Sequence, residues 1–207
     1  MSGWNAMAAK LTKLQAAVVA DLRSLSPHRF VSDRVLEPVP FIFSGDTAAY
    51  REWRHEFGTA LRVDPRSIAI VGSAAVGVSL SPNKNLEPFH AESDVDVAVI
   101  SLHHFESAWT WLRQLGAAIH DLPSPARRSV DEHRARLVYW ATIATDKLVG
   151  HMPVGGVWVP ALAKIGQKTP PAPRTVNVRL YRDFEALRAY QIHGATLLRQ
   201  APFALGG

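Results

Sequence analysis

The sequence predicts an α/β (α+β) fold, in which helices pack on one face of a small mixed β-sheet and extra helices lie at the N- and C-termini. Three segments, 67–72, 94–101 and 175–181, are short, rich in Val, Ile and Leu, and bounded by turn residues, as strands are. Amphipathic helical patterns separate them. The length of 207 residues suits a single domain.

Three parts follow one another in this domain. An N-terminal helix and an extended connection occupy 1–45, the core occupies 46–122, and a helical portion with a C-terminal strand occupies 123–207. Three prolines in 27–44 predict a mostly extended chain there. A helix over 3–25 is predicted from the helical spacing of Trp4, Met7, Leu11, Leu14, Val18 and Leu22.

The core begins with a helix and a strand. Asp46 is a candidate N-cap for the helix, and Asp64-Pro65 ends it. The strand over Ser67–Val71 follows. The apolar face of the helix consists of Tyr50, Trp53, Phe57 and Leu61.

Beyond the strand at 94–101, the pattern predicts a helix over Phe105–Leu122. Ser129 and Glu132 have the spacing of a capping box, which predicts a second helix extending to about Leu148. The Val-rich segment 149–166 predicts short strand pieces.

The last part of the chain contains a loop, a strand and a helix. Residues 168–174 carry three prolines and predict the loop. Thr175–Tyr181 alternates apolar and polar residues, which is typical of a half-buried strand. Asp183 is the candidate N-cap of a helix over Asp183–Gln200.

The composition excludes some classes of protein. Hydrophobic residues make up 47% of the chain and charged residues 20%, which suits a folded core. The absence of cysteine excludes disulfides and thiolate metal sites. No apolar run is long enough to span a membrane and no signal peptide is evident, so we expect a soluble cytoplasmic protein without a membrane partner. The net charge of +5 permits an anionic partner.

Asp94 and Asp96 stand two residues apart in a run of Val and Ile, so on a strand their side chains point the same way. Two adjacent carboxylates repel each other, and a divalent cation relieves that repulsion. Ligands that offer only oxygen favour Mg²⁺, or Mn²⁺ in its place. An ordinary alternating surface strand is the alternative explanation of this pattern.

Gly72 and Ser73 end the preceding strand. Such a small turn lets backbone N–H groups approach a phosphate. An acid pair and a phosphate-binding turn together indicate phosphoryl chemistry.

Gly72-Ser73 followed by Asp94-Val-Asp96-Val resembles the nucleotidyltransferase superfamily related to DNA polymerase β. The resemblance covers about residues 40–120. It implies that Gly72 and Ser73 hold a nucleoside triphosphate while Asp94 and Asp96 bind two Mg²⁺ ions. Residues 74–93 separate the two motifs, which is longer than the family usually shows. The extra residues, 81–90, are interpreted as a loop inserted beside the site.

Two basic residues could neutralise the charge of a triphosphate. Lys84 lies in the inserted loop, and Arg179 lies on the last predicted strand. An ordinary solvated role remains the alternative for Lys84.

The family usually supplies a third acid from a neighbouring strand. The strand available here, Thr175–Tyr181, offers Asn177, Arg179 and Tyr181 on its polar face, and none of these is acidic. Asn177 could ligate a metal through its carbonyl oxygen, but it cannot accept a proton as a carboxylate does. The third acid is therefore either missing or supplied from elsewhere in the chain.

The resemblance implies an enzyme that transfers a nucleoside monophosphate from a nucleoside triphosphate to an acceptor hydroxyl by a two-metal mechanism. The acceptor would be a small molecule, a protein side chain or an RNA end. The alternative is a catalytically weakened module on the same fold that binds a nucleotide or a partner protein.

Overall fold

The computed structural model describes residues 12–170 and 173–201. Its helices are α1 (Lys13–Ser24), α2 (Pro27–Phe30), α3 (Thr47–Leu61), α4 (Gly72–Val76), α5 (Leu102–Gln114), α6 (Ser124–Ala135), α7 (Gly155–Lys168) and α8 (Phe184–Gln200). Its strands are β1 (Ile68–Val71), β2 (Val95–Ile100), β3 (Thr142–Ala144) and β4 (Val176–Tyr181).

The four strands form one mixed sheet in the order β1-β2-β4-β3. β2 pairs antiparallel with β1 and parallel with β4, and β3 pairs antiparallel with the other edge of β4. The three predicted strands therefore share one sheet, and the predicted α/β (α+β) fold class is confirmed.

The two faces of the sheet differ in chemistry. Val97, Val99, Val178 and Leu180 belong to a face that is buried along the two central strands. Alternation places Asp96, Asn177 and Arg179 on the opposite face, which has the site residues.

Helices cover the buried face, and the extra C-terminal helix packs on part of the other. On α7, a Cβ added at Gly166 would lie 4.0 Å from Val176 Cγ2, which belongs to the buried face. On α8, the ring of Tyr190 contacts Arg179 and Tyr181 of the opposite face. α8 leaves uncovered the end of the face that carries Asp96 and Asn177.

The N-terminal part is more helical than the sequence pattern indicated. Part of the helix predicted over 3–25 is present as α1, whereas Trp4, Met7 and Leu11 lie outside the described residues. The extended connection predicted for 27–44 is wrong, because α2, a π-helical turn over Val31–Leu36 and a 3-10 turn over Phe41–Phe43 occupy it.

The physical reason lies at the start of α2. The Ser26 hydroxyl accepts a hydrogen bond from Arg29 N, and Pro27 occupies the first turn, where its missing N–H costs nothing. Ser26-Pro27 therefore ends α1 and begins the next helix. Phe30, Val31 and Val35 then bury their side chains in the core.

Several predictions in the second half of the chain were also wrong. Ser129 lies inside α6, so it does not begin a helix in a capping box with Glu132, and α6 ends at Ala135. The helix predicted to Leu122 ends at Gln114, and a 3-10 segment follows over Gly116–Asp121.

The strand pieces predicted within 149–166 are replaced by a 3-10 turn over Val149–His151 and by α7. Trp158, Ala161 and Ile165 are buried at helical spacing along α7. The helical burial period of these residues outweighs the β-propensity of the neighbouring valines.

The two helices with predicted aspartate N-caps form as expected. The Asp46 side chain accepts hydrogen bonds from Ala48 N and Ala49 N at the start of α3. Asp183 accepts one from Ala186 N at the start of α8. In the part of the chain that the structure describes, no helix combines the length and apolar character needed to cross a membrane.

Candidate functional site

Asp94 and Asp96 stand at the beginning of β2, at one edge of the polar face of the sheet. Asp94 directly precedes the strand and Asp96 is its second residue. In the register of the sheet, Asp96 lies opposite Val71 on one side and Asn177 on the other. The sheet therefore brings the end of β1, the start of β2 and the start of β4 to the same place.

Gly72 leaves β1 beside Asp96. Its φ of 65° lies in the left-handed region, and a Cβ at this position would stand 3.2 Å from Asp96 Oδ2. Glycine is therefore favoured here for both its backbone angle and its lack of a side chain. Instead of an open turn, Gly72 and Ser73 form the first residues of the short helix α4, which no side chain caps.

Asn177 is a hydrogen-bond partner of Asp94. Its Nδ2 donates to Asp94 Oδ2 across 3.2 Å. The side chain that we expected to ligate a metal thus stands next to the acid pair. Its amide nitrogen faces the carboxylate, so the amide would have to turn over before its oxygen could contact a shared cation.

The surroundings of Asp96 disfavour its negative charge. Both acids remain open to solvent. The pKa of Asp96 is nevertheless raised, chiefly because protein atoms surround the concave site, and Asp94 and Asp146 raise it further. Arg179 and Lys84 act in the opposite direction.

Two clefts meet at Asp96. The Ser73 cleft has a volume of about 200 Å³ and the Arg179 cleft one of about 320 Å³. The Ser73 cleft is lined by residues that include Ser73, Ser79, Lys84, His90, Asp94 and Asp96. The Arg179 cleft is lined by residues that include Gly72, Asp96, Asp146, Asn177, Arg179, Tyr181 and Tyr190.

All the sequence-predicted site residues therefore line one or both of these clefts. Lys84 stands in a 3-10 turn of the inserted loop and shares the Ser73 cleft with the acid pair. Arg179 lies on the other side of Asp96, and its Cζ is 4.9 Å from the centre of the Tyr190 ring. Lys84 and Arg179 thus flank Asp96 from different clefts.

Asp146 is the site residue that the sequence did not reveal. Thr145 continues the pairing of β3 with β4, because its N–H donates to Val178 O across 3.1 Å. The chain then turns, and Asp146 lines the Arg179 cleft together with Asp96 and Asn177. Its carboxylate is close enough to Asp96 to raise the pKa of that acid.

The signal for Asp146 was weak because β3 has only three residues and lies in a segment assigned to a helix. A reading of Thr142-Ile-Ala-Thr as an alternating edge strand would have placed Asp146 at its end. His133 fixes this edge, since its Nε2 accepts a hydrogen bond from Ala144 N across 2.9 Å.

The donor set fits a hard cation in type. Asp94 and Asp96 offer carboxylate oxygens to one side of the sheet, which are ligands that Mg²⁺ and Mn²⁺ prefer. Within 12–170 and 173–201, no three His, Cys, Asp or Glu residues are grouped closely enough to hold a metal ion. Any further protein ligand would therefore have to come from a side chain such as Asn177.

No family model, curated protein or solved structure matches this chain significantly. The family suggested by the Gly72-Ser73 and Asp94-Asp96 motifs is therefore an expectation, and the geometry of the site must support any function proposed for the chain.

Proposed function

We propose that the protein is a nucleotidyltransferase that transfers a nucleoside monophosphate from a nucleoside triphosphate to an acceptor hydroxyl. The observation that carries this proposal is the approach of Gly72 to the Asp96 carboxylate, with Asp94 beside it. The turn at Gly72, where α4 begins, and the two carboxylates therefore lie together at one edge of the sheet. A solvated surface strand would not require a glycine in the left-handed region at this contact.

The Ser73 cleft is the proposed site for the triphosphate. Ser73 offers a hydroxyl and Lys84 a positive charge, while Asp94 and Asp96 line the same cleft. Mg²⁺ or Mn²⁺ held by the two carboxylates would compensate the negative charge of the phosphates and of the leaving pyrophosphate. Without such compensation, the acid pair would repel a triphosphate.

The reaction exchanges one phosphorus–oxygen bond for another and moves one proton. The acceptor hydroxyl oxygen bonds to the α-phosphorus, while the bond from that phosphorus to the oxygen bridging the β-phosphate breaks. The electron pair of the broken bond leaves with pyrophosphate. The hydroxyl proton passes to Asp146, a carboxylate that shares the Arg179 cleft with Asp96.

Turnover of labelled nucleotides tests the proposal. The purified protein is incubated with each of four α-labelled nucleoside triphosphates and Mg²⁺, with cell extract divided into small-molecule, protein and RNA fractions as the source of acceptor. We expect pyrophosphate release and label in one fraction. Asp94→Asn and Asp96→Asn should lose turnover by at least about 100-fold, since even partners of metal ligands are worth 10–100-fold.

Asp131→Asn is the matched control, because Asp131 is an exposed acid of α6 that pairs with Arg134. It should keep full turnover. Absence of turnover with every nucleotide and fraction, or equal turnover in the Asp96→Asn variant, would contradict the proposal.

The second candidate is a module that binds a nucleotide or a partner protein without catalysis. The observation in its favour is Asn177, an amide that is hydrogen-bonded to Asp94 and lies on the strand where the resemblance implies a third acid. This module would bind a nucleoside triphosphate with Mg²⁺ and release no pyrophosphate. A cytoplasmic location belongs to both candidates.

A further inference from the structure

We propose that the Arg179 cleft is the acceptor subsite, and that it binds a small molecule with a carboxylate or phosphate group at one end and a hydroxyl at the other. This inference rests on the proposed function, because an acceptor subsite is meaningful only for a transferase. The volume of the cleft, about 320 Å³, is at the lower limit of ordinary ligand pockets and suits a small molecule better than a macromolecular end.

The first observation is a buried hydroxyl without a partner. Tyr181 is fully buried and lines the cleft, and its hydroxyl approaches the Gln191 and Thr142 side chains without a hydrogen bond of normal geometry to any described residue. The neighbouring Thr142 hydroxyl donates its own hydrogen to Leu180 O. A buried, unsatisfied hydroxyl is costly, so its retention indicates that something else supplies the missing partner.

The second observation is an incompletely paired guanidinium two residues away on the same face of β4. Arg179 Nη1 is buried and likewise has no hydrogen-bond partner among the described residues. Its Cζ lies 4.9 Å from the centre of the Tyr190 ring, a contact that helps to hold the guanidinium in the cleft. Two unsatisfied donors therefore line one cleft.

Both groups act as donors at neutral pH. Burial raises the pKa of Tyr181, so its hydroxyl stays protonated. A guanidinium has no acceptor atom at all. The complementary ligand group is an oxygen-rich anion, because carboxylate and phosphate oxygens accept strong hydrogen bonds from arginine.

The other end of the cleft has the opposite charge. Asp96 and Asp146 are open to solvent there, and both would repel an anion. A ligand that spans the cleft must therefore place its anionic group against Arg179 and Tyr181, and an uncharged hydroxyl near the acids. That hydroxyl would then lie next to the carboxylate proposed to take its proton.

Binding of simple anions to the intact protein tests the subsite without any turnover. Amide resonances of ¹⁵N-labelled protein are followed during titration with inorganic phosphate, with acetate and, as an uncharged control, with glycerol. We expect saturable shifts in β4 and α8 with phosphate or acetate but not with glycerol. The stronger of the two anions identifies the ligand group as phosphate or carboxylate.

Tyr181→Phe removes only the hydroxyl. It should weaken anion binding by about 5-fold, as expected for the loss of one hydrogen bond, and Arg179→Gln should weaken it by more than about 10-fold. Tyr139→Phe is the matched control, because Tyr139 is 85% exposed. Tyr181→Phe should melt at the same temperature as the parent or higher, since it loses an unsatisfied group.

The outcomes separate this subsite from the proposed function. Unchanged anion binding in Tyr181→Phe and Arg179→Gln, or a clear drop in the melting temperature of Tyr181→Phe, would overturn the subsite. Retained anion binding in a protein without turnover would instead contradict the transferase. Asp94→Asn should keep anion binding while losing turnover.

Discussion

Asn177 donates a hydrogen bond to Asp94 across 3.2 Å, and the two residues are 83 positions apart in the chain. A third carboxylate at position 177 would add a negative charge to a pair that already repels, whereas the amide donates to it. Asparagine at position 177 therefore stabilises the metal-free site relative to a carboxylate there. It also gives a bound cation one negative charge fewer.

The Asn177→Asp variant tests both effects, on metal affinity and on the stability of the metal-free protein. The third carboxylate should tighten Mn²⁺ binding by at least about 10-fold, since ligand charge sets the affinity for hard cations. The metal-free protein should lose about 1 kcal/mol of unfolding free energy, because a hydrogen bond to a charged group is lost and a repulsion gained. Calorimetric titration and urea unfolding measure the two effects, and weaker Mn²⁺ binding would contradict the assignment.

Asp96→Asn should leave the metal-free protein as stable as the parent or more stable. The protein around Asp96 raises its pKa and so disfavours the charged form, which the amide cannot adopt. Thermal unfolding with and without Mg²⁺ checks this: the ion should raise the melting temperature of the parent only. Lower stability of the variant without metal would indicate a structural role for the carboxylate.

Gly72→Ala should cost about 1–2 kcal/mol of stability and impair the site. The left-handed backbone strains alanine, and the new methyl group would contact Asp96 Oδ2. Gly45→Ala is the matched control, because Gly45 has a φ of 85° and nothing within 4 Å of its added Cβ. Both variants should lose stability, but only Gly72→Ala should lose turnover, by about 10-fold or more.

Asp146→Asn should lower the turnover number by about 100-fold, which is a typical contribution of a general base. Nucleotide affinity and Mn²⁺ affinity should stay within about 2-fold of the parent, because among the described residues Asp146 is not close enough to Asp94 and Asp96 to form a three-acid metal site with them. Asp131→Asn, at the exposed acid of α6, is again the control. Loss of metal binding instead of turnover would make Asp146 a ligand.

His133 should make the stability depend on pH. Its Nδ1 bonds to Ser129 O and its Nε2 accepts from Ala144 N, so the folded protein holds it neutral. Burial lowers its pKa below the value of about 6.5 that it has when unfolded. Its contribution is therefore fully present above about pH 6.5 and decreases as the pH falls, because the unfolded chain then takes up a proton.

The measurement is urea unfolding of His133→Gln and of the exposed control His120→Gln between pH 5 and 8. His133→Gln should lose about 1–3 kcal/mol at neutral pH and show a flatter pH profile. His120→Gln should follow the parent. A parent-like slope in His133→Gln would show that another group produces the dependence.

The sequence predicted the three longer strands because each combines β-branched residues with clear turn residues at its ends. It also predicted α3 and α8, whose capping aspartates are local signals. It failed at α7, where valines favour a strand locally and only burial against the sheet and α3 selects a helix. Trp53 of α3, for example, donates to Thr169 at the end of α7.

The candidate site divides in the same way. The acid pair and the Gly72-Ser73 turn are short-range motifs, and their residues do meet in the structure. Asp146 was not predictable, because its position depends on β3, an edge strand held by long-range contacts such as that between Thr142 and Leu180 O. The same holds for the Arg179 cleft, which needs α8 and β4 together.

The parallel pairing of β2 with β4 has a consequence for how the chain folds. When β2 leaves the ribosome, its parallel neighbour β4 has not yet been made. Closing the long loop between β2 and β4 is entropically slow. Until β4 arrives, one edge of an apolar, Val-rich strand stays open to other chains. We therefore expect fragments that end before residue 175 to aggregate, and the refolding rate of the whole protein to be limited by the docking of its last strand.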